Sequence, residues 1–372
     1  MKKLIFSLML GALFHSAWAS NEVKVEVVAE GLSFPWSLQQ LPVEQGGWLV
    51  TERGGRLLHI ADDGAVNTIP LQLPELFATG QSGLFEVTLA PDFESSRELL
   101  LSYACGSLSA NTTCLARASL SANAPYETSE VKQIFAAQPL RKGAAHYGGR
   151  MTWLPDGTLL LTLGDGFDYR EQAQNLNNHL GKVVRLQRDG SVAADNPFPD
   201  KAAGYIFSYG HRNSQGIVYD PARDVIWQHE HGPKGGDEIN RLQAGKNYGW
   251  PIASYGIDYT GAMVTPYQDL PGVIQPMYQW TPSLAPSDMA LYKGDLFAQW
   301  QGDLLVSHLA GKRVQRLRLN EGTWQVEQTI EVDNKARIRA VEVARDGAVW
   351  LATDAAEGKI LRLSPTGSES RR

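Results

Sequence analysis

The chain repeats one pattern of apolar and polar positions. Each copy runs from an apolar stretch into a turn rich in Pro, Asp and Gly, and then into a second apolar stretch. The clearest copy, at residues 153–161, reads WLPDGTLLL. Short apolar runs bounded by turn residues predict β-strands joined by tight turns. The six copies are residues 41–50, 89–101, 153–161, 218–227, 291–306 and 343–351.

A further strand follows most copies and usually carries an Arg-Leu pair. It is found at residues 55–58, 184–186, 240–242, 315–317 and 361–363. A sheet this small cannot bury both of its faces alone, so the units must stack around a common axis. The pattern therefore predicts an all-β, six-bladed β-propeller over residues 20–365. A β-sandwich of this length would need two or more domains, and no linker divides this segment.

The two ends of the sequence lack the repeated pattern of apolar runs and turns. Lys2 and Lys3 precede an apolar run over residues 4–14, and Ala17-Trp18-Ala19 has the small-residue form of a cleavage site. This pattern predicts a signal peptide over residues 1–19, cleaved after Ala19. The run is shorter than the roughly 20 apolar residues that span a bilayer, so we expect a periplasmic or secreted protein that is not membrane-embedded. The polar tail at residues 366–372 is predicted to be disordered.

Charge and motifs exclude several classes of function. The formal net charge is −6, which argues against binding to a nucleic-acid backbone. The sequence has no G-x-G-x-x-G after a strand, no P-loop and no G-x-S-x-G motif. Functions that depend on nicotinamide cofactors, ATP or a serine nucleophile therefore lose their usual sequence support.

The only two cysteines, Cys105 and Cys114, are separated by turn-forming residues. In an exported protein, this spacing favours a disulfide that staples a hairpin or loop. The alternative is a redox-active pair, which usually has two intervening residues rather than eight.

Glycine-rich loops carry the best candidates for chemistry. His146 lies among small residues in the segment GAAHYGGR, just before a predicted strand, and its imidazole suits general-base catalysis. Asp165 follows the next strand and could orient that imidazole. A second loop, at residues 209–216, offers the planar donors of Arg212, Asn213 and Gln215.

A third loop, at residues 229–240, reads HEHGPKGGDEIN. The His-x-His pair of His229 and His231 suggests zinc, which would need a third ligand and usually a Glu base. The Gly-Pro and Gly-Gly steps instead expose backbone carbonyl oxygens beside two carboxylates. Calcium prefers such oxygen ligands on irregular backbone, so we favour calcium over zinc here.

Taken together, these boxes resemble the soluble pyrroloquinoline quinone (PQQ)-dependent aldose sugar dehydrogenases of the glucose/sorbosone dehydrogenase family. The resemblance extends over essentially the whole chain after the signal peptide, and the boxes occur in the family's order. They are found at residues 34–36, 80–84, 146–150, 212–216, 230–233, 237–240, 247–251 and 337–339.

This resemblance implies a catalytic pair and a set of quinone contacts. His146 matches the general base that takes the proton from the C1 hydroxyl of the sugar while hydride moves from C1 to the quinone. Asp165 matches the acid that holds this histidine. Gln81, Arg212 and Asn213 match residues that contact the quinone. The implied partners are an aldose substrate and an external electron acceptor.

The resemblance also assigns the carboxylates of the quinone to an arginine pair. Arg337 and Arg339 match this pair, and residues at i and i+2 of a strand share one face. The lysine that contacts the quinone in related glucose dehydrogenases aligns nearest to Ala310. Lys312 is our candidate for its replacement, two positions away.

Two calcium sites are implied as well. The backbone carbonyls of Gly232 and Pro233 match those that hold the calcium of the cofactor, which acts as a Lewis acid. Glu238 and Tyr248 match ligands of a second, structural calcium.

Some positions depart from the family or stay open. Ser214 stands where many relatives have Pro, and Ala340 where many have Asp. Trp280 and Tyr278 either form an aromatic wall against the sugar or pack in the core. Two other functions are possible on this fold: a calcium-dependent lactonase, which would need acidic and Asn ligands in the central channel, and a binding module without catalysis.

Overall fold

The computed structural model describes residues 23–199, 201–332 and 336–366 of the 372-residue chain. The predicted signal peptide lies outside the described residues, as does the predicted tail beyond Thr366.

Within the described residues, 24 strands form six antiparallel sheets of four strands each. The strand β1 (Val23–Leu32) comes first along the chain. The first blade comprises β2 (Pro35–Gln40), β3 (Trp48–Glu52), β4 (Leu57–Ile60) and β5 (Val66–Ile69). The second comprises β6 (Leu84–Leu89), β7 (Glu98–Ser107), β8 (Ala110–Leu120) and β9 (Thr128–Ala136). The third comprises β10 (Gly148–Trp153), β11 (Leu159–Leu163), β12 (Lys182–Leu186) and β13 (Ile206–Tyr209).

The fourth blade comprises β14 (Ser214–Asp220), β15 (Val225–Glu230), β16 (Asp237–Leu242) and β17 (Tyr278–Trp280). The fifth comprises β18 (Pro286–Leu291), β19 (Leu304–His308), β20 (Arg313–Asn320) and β21 (Thr323–Ile330). The sixth comprises β22 (Ile338–Val343), β23 (Val349–Thr353) and β24 (Gly358–Pro365), with β1 as its outer strand. The six-bladed propeller predicted from the repeats is thereby confirmed.

Each repeated phrase forms the turn between the first and second strands of a blade. In the third blade, the Gly157 N–H donates to the Leu154 carbonyl (3.0 Å), and Gly157 has a φ of 82°. The Asp156 carboxylate accepts the Thr158 N–H (2.9 Å). Glycine adopts this left-handed backbone without a steric penalty, which explains its place in the phrase.

The two ends of the described chain close the ring. β1 pairs antiparallel with β24, so that Val23 lies opposite Pro365 and Val27 opposite Leu361. The last blade is therefore built from both ends of the chain, and backbone hydrogen bonds join them. The repeats predicted the number of blades but not this arrangement.

Apolar contacts between neighbouring blades form the core. Central strands such as β3, β11 and β19 are buried along their whole length. Tryptophans pack across blade boundaries: Trp48 stacks on Trp350 with centroids 4.6 Å apart, and Trp227 meets Trp324 edge-on at 4.9 Å. Aromatic pairs of this kind bury large areas and help hold adjacent sheets together.

Helical structure in the described residues is limited to one short α-helix, α1 (Phe93–Ser96), and three 3-10 helices, Arg170–Gln174, Lys201–Tyr205 and Ala298–Trp300. None of the helices in this part of the chain has the length and apolar character needed to span a membrane. The predicted disulfide joins Cys105 on β7 to Cys114 on β8, with Cα atoms 5.9 Å apart.

Candidate functional site

The candidate site lies at one end of the central channel. The first strand of each blade contacts the first strand of the next, and these six strands surround the channel. A cavity of about 230 Å³ opens where these strands begin. Because the strands all enter the channel from this end, the loops before them converge here. The cavity lining includes Trp36, Gln81, Tyr147, Asn213, His231, Arg337 and Arg339.

His146 and Asp165 form a hydrogen-bonded pair beside this cavity. Gly148 on β10 lies opposite Leu163 on β11, so the residues just beyond these two strand ends face each other. The distance from His146 Nδ1 to Asp165 Oδ1 is 2.7 Å, and the two side chains are only 5% and 1% exposed. Their predicted association is therefore present in the geometry.

Further hydrogen bonds hold both members of the pair. The His146 backbone N–H donates to Gln81 Oε1 (2.9 Å), and His146 has a left-handed φ of 53°. Asp165 Oδ2 accepts the Trp250 indole N–H (2.8 Å), and Oδ1 also accepts the Phe167 backbone N–H (2.8 Å). These contacts fix the carboxylate and, through it, the plane of the imidazole.

The protonation states of this pair follow from its surroundings. Burial raises the pKa of Asp165, but the hydrogen bond to His146, the Arg212 charge and the Phe167 N–H act together with the other local charges to leave this pKa lowered. Burial lowers the pKa of His146, and Asp165 opposes this shift. An ionised carboxylate can only accept, so the proton of the shared hydrogen bond belongs to His146 Nδ1, and Nε2 keeps a free lone pair.

Three arginines converge on one carboxylate at the wall of the cavity. Arg337 donates to Asp354 Oδ2 through Nε (3.0 Å), while Arg339 Nη2 and Arg53 Nη1 lie 3.8 and 3.7 Å from the Asp354 carboxylate. Arg339 also donates to Gln215 Oε1 (3.1 Å). Three guanidinium groups facing one carboxylate leave an excess of positive charge, which suits a ligand with several carboxylates.

Arg339 is buried, whereas Arg337 is partly exposed. Burial lowers the pKa of Arg339 to about 10, and the Asp354 charge opposes this shift. Arg339 therefore stays charged at neutral pH.

Arg53 and Asp354 were not predicted from the sequence. Each directly follows the second strand of its blade, as Arg53 follows β3 and Asp354 follows β23. Asp165 comes two residues after the second strand of the third blade. Charged residues just past the second strand of a repeat were therefore the signal that could have identified them.

Of the three predicted quinone contacts, Gln81 and Asn213 line the cavity, whereas Arg212 does not. Asn213 Oδ1 accepts the Gly148 N–H (3.1 Å). Arg212 instead lies over the Trp250 ring at 5.3 Å and lines a neighbouring cleft.

Other predicted residues are not brought to the cavity. Lys312 is exposed in the turn after β19 and does not contribute to its lining. Trp280 is buried, donates from its indole N–H to Gln315 Oε1 (2.8 Å) and packs against His308. Tyr278 meets Trp280 edge-on. For these two aromatic residues, the structure favours packing over contact with a sugar.

The turn after β15 carries the predicted carbonyl ligands. Asp237 Oδ1 accepts the Gly232 N–H (2.9 Å), which anchors the turn. Arg212 Nη1 donates to the Gly232 carbonyl (2.7 Å), and Pro233 lines the neighbouring cleft. Neither Gly232 nor Pro233 lines the cavity itself, and the Gly232 carbonyl already accepts a hydrogen bond from the Arg212 guanidinium.

Glu238 and Glu230 place two carboxylates opposite each other, and a cation bound there would offset their repulsion. Glu238 lies opposite Glu230 in the β15–β16 register, and burial together with the Glu230 charge raises the pKa of Glu238 well above its ordinary value. The neighbouring Asn240 Oδ1 is buried without a hydrogen-bond partner. The Tyr248 hydroxyl donates to the Arg241 carbonyl (2.7 Å). The backbone carbonyl of Tyr248 is therefore the atom of this residue that would bind calcium.

These donors are carbonyl and carboxylate oxygens, the set that calcium prefers. In the described part of the chain, no three His, Cys, Asp or Glu side chains form a metal-binding group. His231 Nε2 contacts the Pro286 carbonyl (2.7 Å), so the His-x-His pair gains no support as a zinc site.

Arg150 separates the cavity from the rest of the channel. Its guanidinium donates to the carbonyls of Gln215, Ser287 and Arg339 at 2.8–3.1 Å. Its Nη1 atom also lies 3.5 Å from Glu86 and 3.2 Å from Asp288. One buried side chain thus links several blades at the centre of the ring.

Comparison with known proteins gives consistent matches over most of the chain. The sequence profile of the glucose/sorbosone dehydrogenase family matches residues 32–362. The aldose sugar dehydrogenase of Escherichia coli strain K12 is 37% identical over 370 residues, which cover 98% of this chain and 99% of the relative.

Two solved structures extend the comparison to three dimensions. The apo-form of the soluble aldose sugar dehydrogenase from Escherichia coli has a TM-score of 0.88 at 37% identity and covers 92% of this chain and 100% of its own. The PQQ-bound aldose sugar dehydrogenase from Streptomyces coelicolor has a TM-score of 0.75 at 27% identity and covers 92% and 98%. Both structures match more than nine-tenths of the chain, and this chain belongs to the glucose/sorbosone dehydrogenase family.

Proposed function

We propose that this protein oxidises aldose sugars at C1 to the lactone, using PQQ and calcium, and passes the electrons to an external acceptor. The observation that carries this proposal is the position of the His146–Asp165 pair beside a cavity with excess positive charge. A base for a sugar hydroxyl and a binding site for a carboxylated cofactor are adjacent in space. The similarity to a PQQ-bound relative supports this choice of cofactor.

In this proposal, His146 is the general base. Its Nδ1–H donates to Asp165, so Nε2 accepts the proton of the C1 hydroxyl as the C1 hydrogen leaves as hydride. Asp165 stabilises the imidazolium that forms and keeps the ring oriented. When bound, PQQ would supply the acceptor for this hydride, and calcium would supply a Lewis acid beside it.

Arg53, Arg337 and Arg339 hold the carboxylates of the cofactor at the cavity wall. The Asp354 carboxylate pairs with all three guanidinium groups and orients them. Gln81 and Asn213 contribute polar contacts from the opposite loops, and Trp36 offers an apolar ring. The positive charge and the Trp36 ring both suit an aromatic tricarboxylate.

Calcium would use the carbonyls of Gly232 and Pro233 near the cofactor, and the Glu238 carboxylate with the Tyr248 carbonyl at a second site. The unbalanced carboxylates and the orphaned Asn240 oxygen support a cation at the second site.

The test is reconstitution of the purified apoprotein. We expect a panel of aldoses to reduce an artificial electron-accepting dye only when both PQQ and calcium are added. Zinc in place of calcium is the control and should give no activity. Dye reduction without PQQ, or none with any aldose, would overturn the proposal.

The same preparation tests the lactonase alternative. Arg150 Nη1 lies between Glu86 and Asp288, where a cation bound by channel carboxylates would have to lie. We therefore expect no calcium-dependent hydrolysis of gluconolactone. A propeller that serves only as a binding module would show neither aldose oxidation nor lactone hydrolysis.

We further propose that the protein is exported, to the periplasm or to the medium, and that the mature chain begins at Ser20. The leader pattern and the disulfide between Cys105 and Cys114 support this location. Cell fractionation followed by N-terminal sequencing tests it, and a mature chain that retains Lys2 and Lys3 would contradict it.

A further inference from the structure

A second cavity opens at the other end of the central channel, where the first strands of the blades end. Its volume is about 390 Å³, and the buried side chain of Arg150 lies between it and the candidate site. Three carboxylates line it, those of Glu86, Asp288 and Glu342. The rest of its wall is largely apolar and includes Leu38, Val87, Met151, Ile217 and Met289.

The three carboxylates come from three different blades. Glu86 is the third residue of β6 and Asp288 the third residue of β18, and Arg150 has the same position in β10, so the three lie at one level of the channel. Arg150 Nη1 is 3.5 Å from Glu86 Oε1 and 3.2 Å from Asp288 Oδ2. Glu342 is the fifth residue of β22, which places it on the same face of its strand but one repeat closer to the far end.

Few other charges face this cluster. The third residues of the remaining first strands do not titrate, and they are Ser37, Gly216 and Ala340. Arg339 on β22 is the next cation, while Lys293 and Arg345 are exposed at the mouth of the cavity. Burial lowers the pKa of the neighbouring His229 on β15 well below its ordinary value, so this imidazole is neutral.

Three ionised carboxylates facing the single guanidinium of Arg150 would leave two negative charges without a partner inside the channel. A buried carboxyl group in this position binds a proton instead. Burial and the charges of Asp288 and Glu86 raise the pKa of Glu342 to about 8. Burial also raises the pKa of Glu86 to about 8, against the effect of Arg150.

Asp288 differs from the two glutamates because its ionised form is better supported. Its carboxylate accepts the Val341 N–H (3.1 Å) and the Met289 N–H (2.9 Å). Burial raises the pKa of Asp288 only to about 6, since Arg150 and these two N–H groups favour the charged form. At neutral pH, Asp288 is therefore the partner of the Arg150 guanidinium.

We propose that Glu86, Asp288 and Glu342 form a proton-binding site in the channel, which holds two protons at neutral pH and releases them in an alkaline medium. Because the three side chains belong to different blades, their ionisation makes these blades repel one another across the channel. The propeller is thus more stable in a mildly acidic medium than in an alkaline one.

The direction of this effect follows from linkage. Below the ordinary glutamate pKa of about 4.5, the folded and unfolded chains are both protonated at Glu86 and Glu342, and the full contribution to stability is present. As the pH rises from there to about 8, only the folded chain keeps these protons, so its stability falls.

Chemical denaturation of the mature chain between about pH 5 and pH 8, at constant ionic strength, tests the site without PQQ or sugar. Each proton that only the folded chain holds lowers the folding constant about tenfold per pH unit. Glu342→Gln keeps the shape of a protonated carboxyl group but has no proton to release. Its folding constant relative to wild type should therefore rise about tenfold per pH unit. Glu86→Gln is a second variant and should behave in the same way.

Glu98→Gln is the matched control. The Glu98 side chain is 13% exposed, like that of Asp288, but it pairs with Arg188 at 2.6 Å and with Arg117 at 3.6 Å. The folding constant of this variant relative to wild type should not change with pH over the same range.

Infrared spectroscopy of the folded protein detects the bound protons directly, because carboxylic acids and carboxylates absorb at different frequencies. The difference spectrum between wild type and Glu342→Gln should contain a carboxylic acid band at neutral pH that disappears by about pH 9. Ratios of folding constants that do not change with pH in Glu342→Gln and Glu86→Gln, or absence of this band, would overturn the site. Ionised carboxylates at neutral pH, with stability that rises in magnesium chloride but not in sodium chloride of equal ionic strength, would assign the cluster to a metal cation instead.

Discussion

His146 Nδ1 lies 2.7 Å from Asp165 Oδ1, although the two residues are 19 positions apart. They meet because antiparallel pairing of β10 with β11 brings the start of one strand beside the end of the other. The ionised Asp165 carboxylate leaves Nε2 of His146 as the free proton acceptor.

We therefore expect His146→Ala to lower kcat by about 10²- to 10⁴-fold, the usual contribution of a positioned base, with little change in cofactor affinity. Steady-state kinetics at saturating PQQ and calcium, paired with absorbance titration of the cofactor, measures both quantities. His59→Ala is the control, since His59 is also buried but bonds the Gly46 carbonyl in the first blade. Near-normal kcat with lost cofactor would make His146 a binding residue only.

Asp165→Asn should change the pH profile as well as the rate. The Asp165 carboxylate raises the pKa of His146 against the lowering effect of burial. An amide at this position removes that effect, so the pKa of His146 falls further, and the acidic limb of the kcat/KM profile should move to lower pH. The plateau should also fall, to a level between wild type and His146→Ala, because the imidazolium is no longer stabilised. An acidic limb that does not move would assign it to another group.

The arginine cluster should affect cofactor binding rather than turnover. We expect Arg337→Ala, Arg339→Ala and Arg53→Ala to weaken PQQ binding, while kcat at saturating PQQ stays closer to wild type. Contacts to carboxylates exist in every bound state, so they do not favour the transition state selectively. Arg56→Ala is the control, because Arg56 pairs with Glu52 outside the cavity lining. A large drop in saturated kcat with unchanged affinity would contradict this assignment.

Calcium should stabilise the fold through Glu238. At about 100-fold excess over its Kd, a ligand that binds only the native state adds roughly 2.7 kcal/mol of stability, so Tm should rise with calcium and fall with a calcium chelator. Glu238→Gln should lose most of this response, since the cation loses its charged ligand. Glu171→Gln, at a carboxylate whose side chain is 73% exposed, should keep it. An equal response in all three proteins would place the stabilising calcium elsewhere.

Removing the disulfide should cost stability but not activity. Cys105 and Cys114 close a short loop in the β7–β8 hairpin, away from the cavity lining. The double variant Cys105→Ser/Cys114→Ser should lose about 2–3 kcal/mol of unfolding free energy, since its unfolded state is less restricted. Chemical denaturation measures this loss, and a reductant should destabilise the wild type but not the variant. A tenfold or larger fall in kcat under conditions where the variant is fully folded would show that the two cysteines have more than a structural role.

Local pattern was sufficient to predict the blades and to point to some of the loops that carry the candidate site, whereas the roles of most site residues came from the family resemblance. Alternation of apolar runs with Pro-Asp-Gly turns is a short-range property, so the strand–turn–strand units and their number can be read directly. The same holds for glycine-rich loops such as the one around His146, where small residues mark a close approach of the backbone. Residues in these loops, including Gln81 and Asn213, do line the cavity.

Other features required the closed ring. Arg53 follows a strand of the first blade and Asp354 a strand of the sixth, and they lie 3.7 Å apart only because pairing of β1 with β24 brings these blades together. Likewise, Trp280 and Lys312 have residue types suited to a site but are directed into the core and into solvent. The sequence by itself determined which strands and loops form, because those depend on neighbouring residues. Which loops share one cavity was decided by the tertiary structure, because that depends on closure between strands more than 300 residues apart.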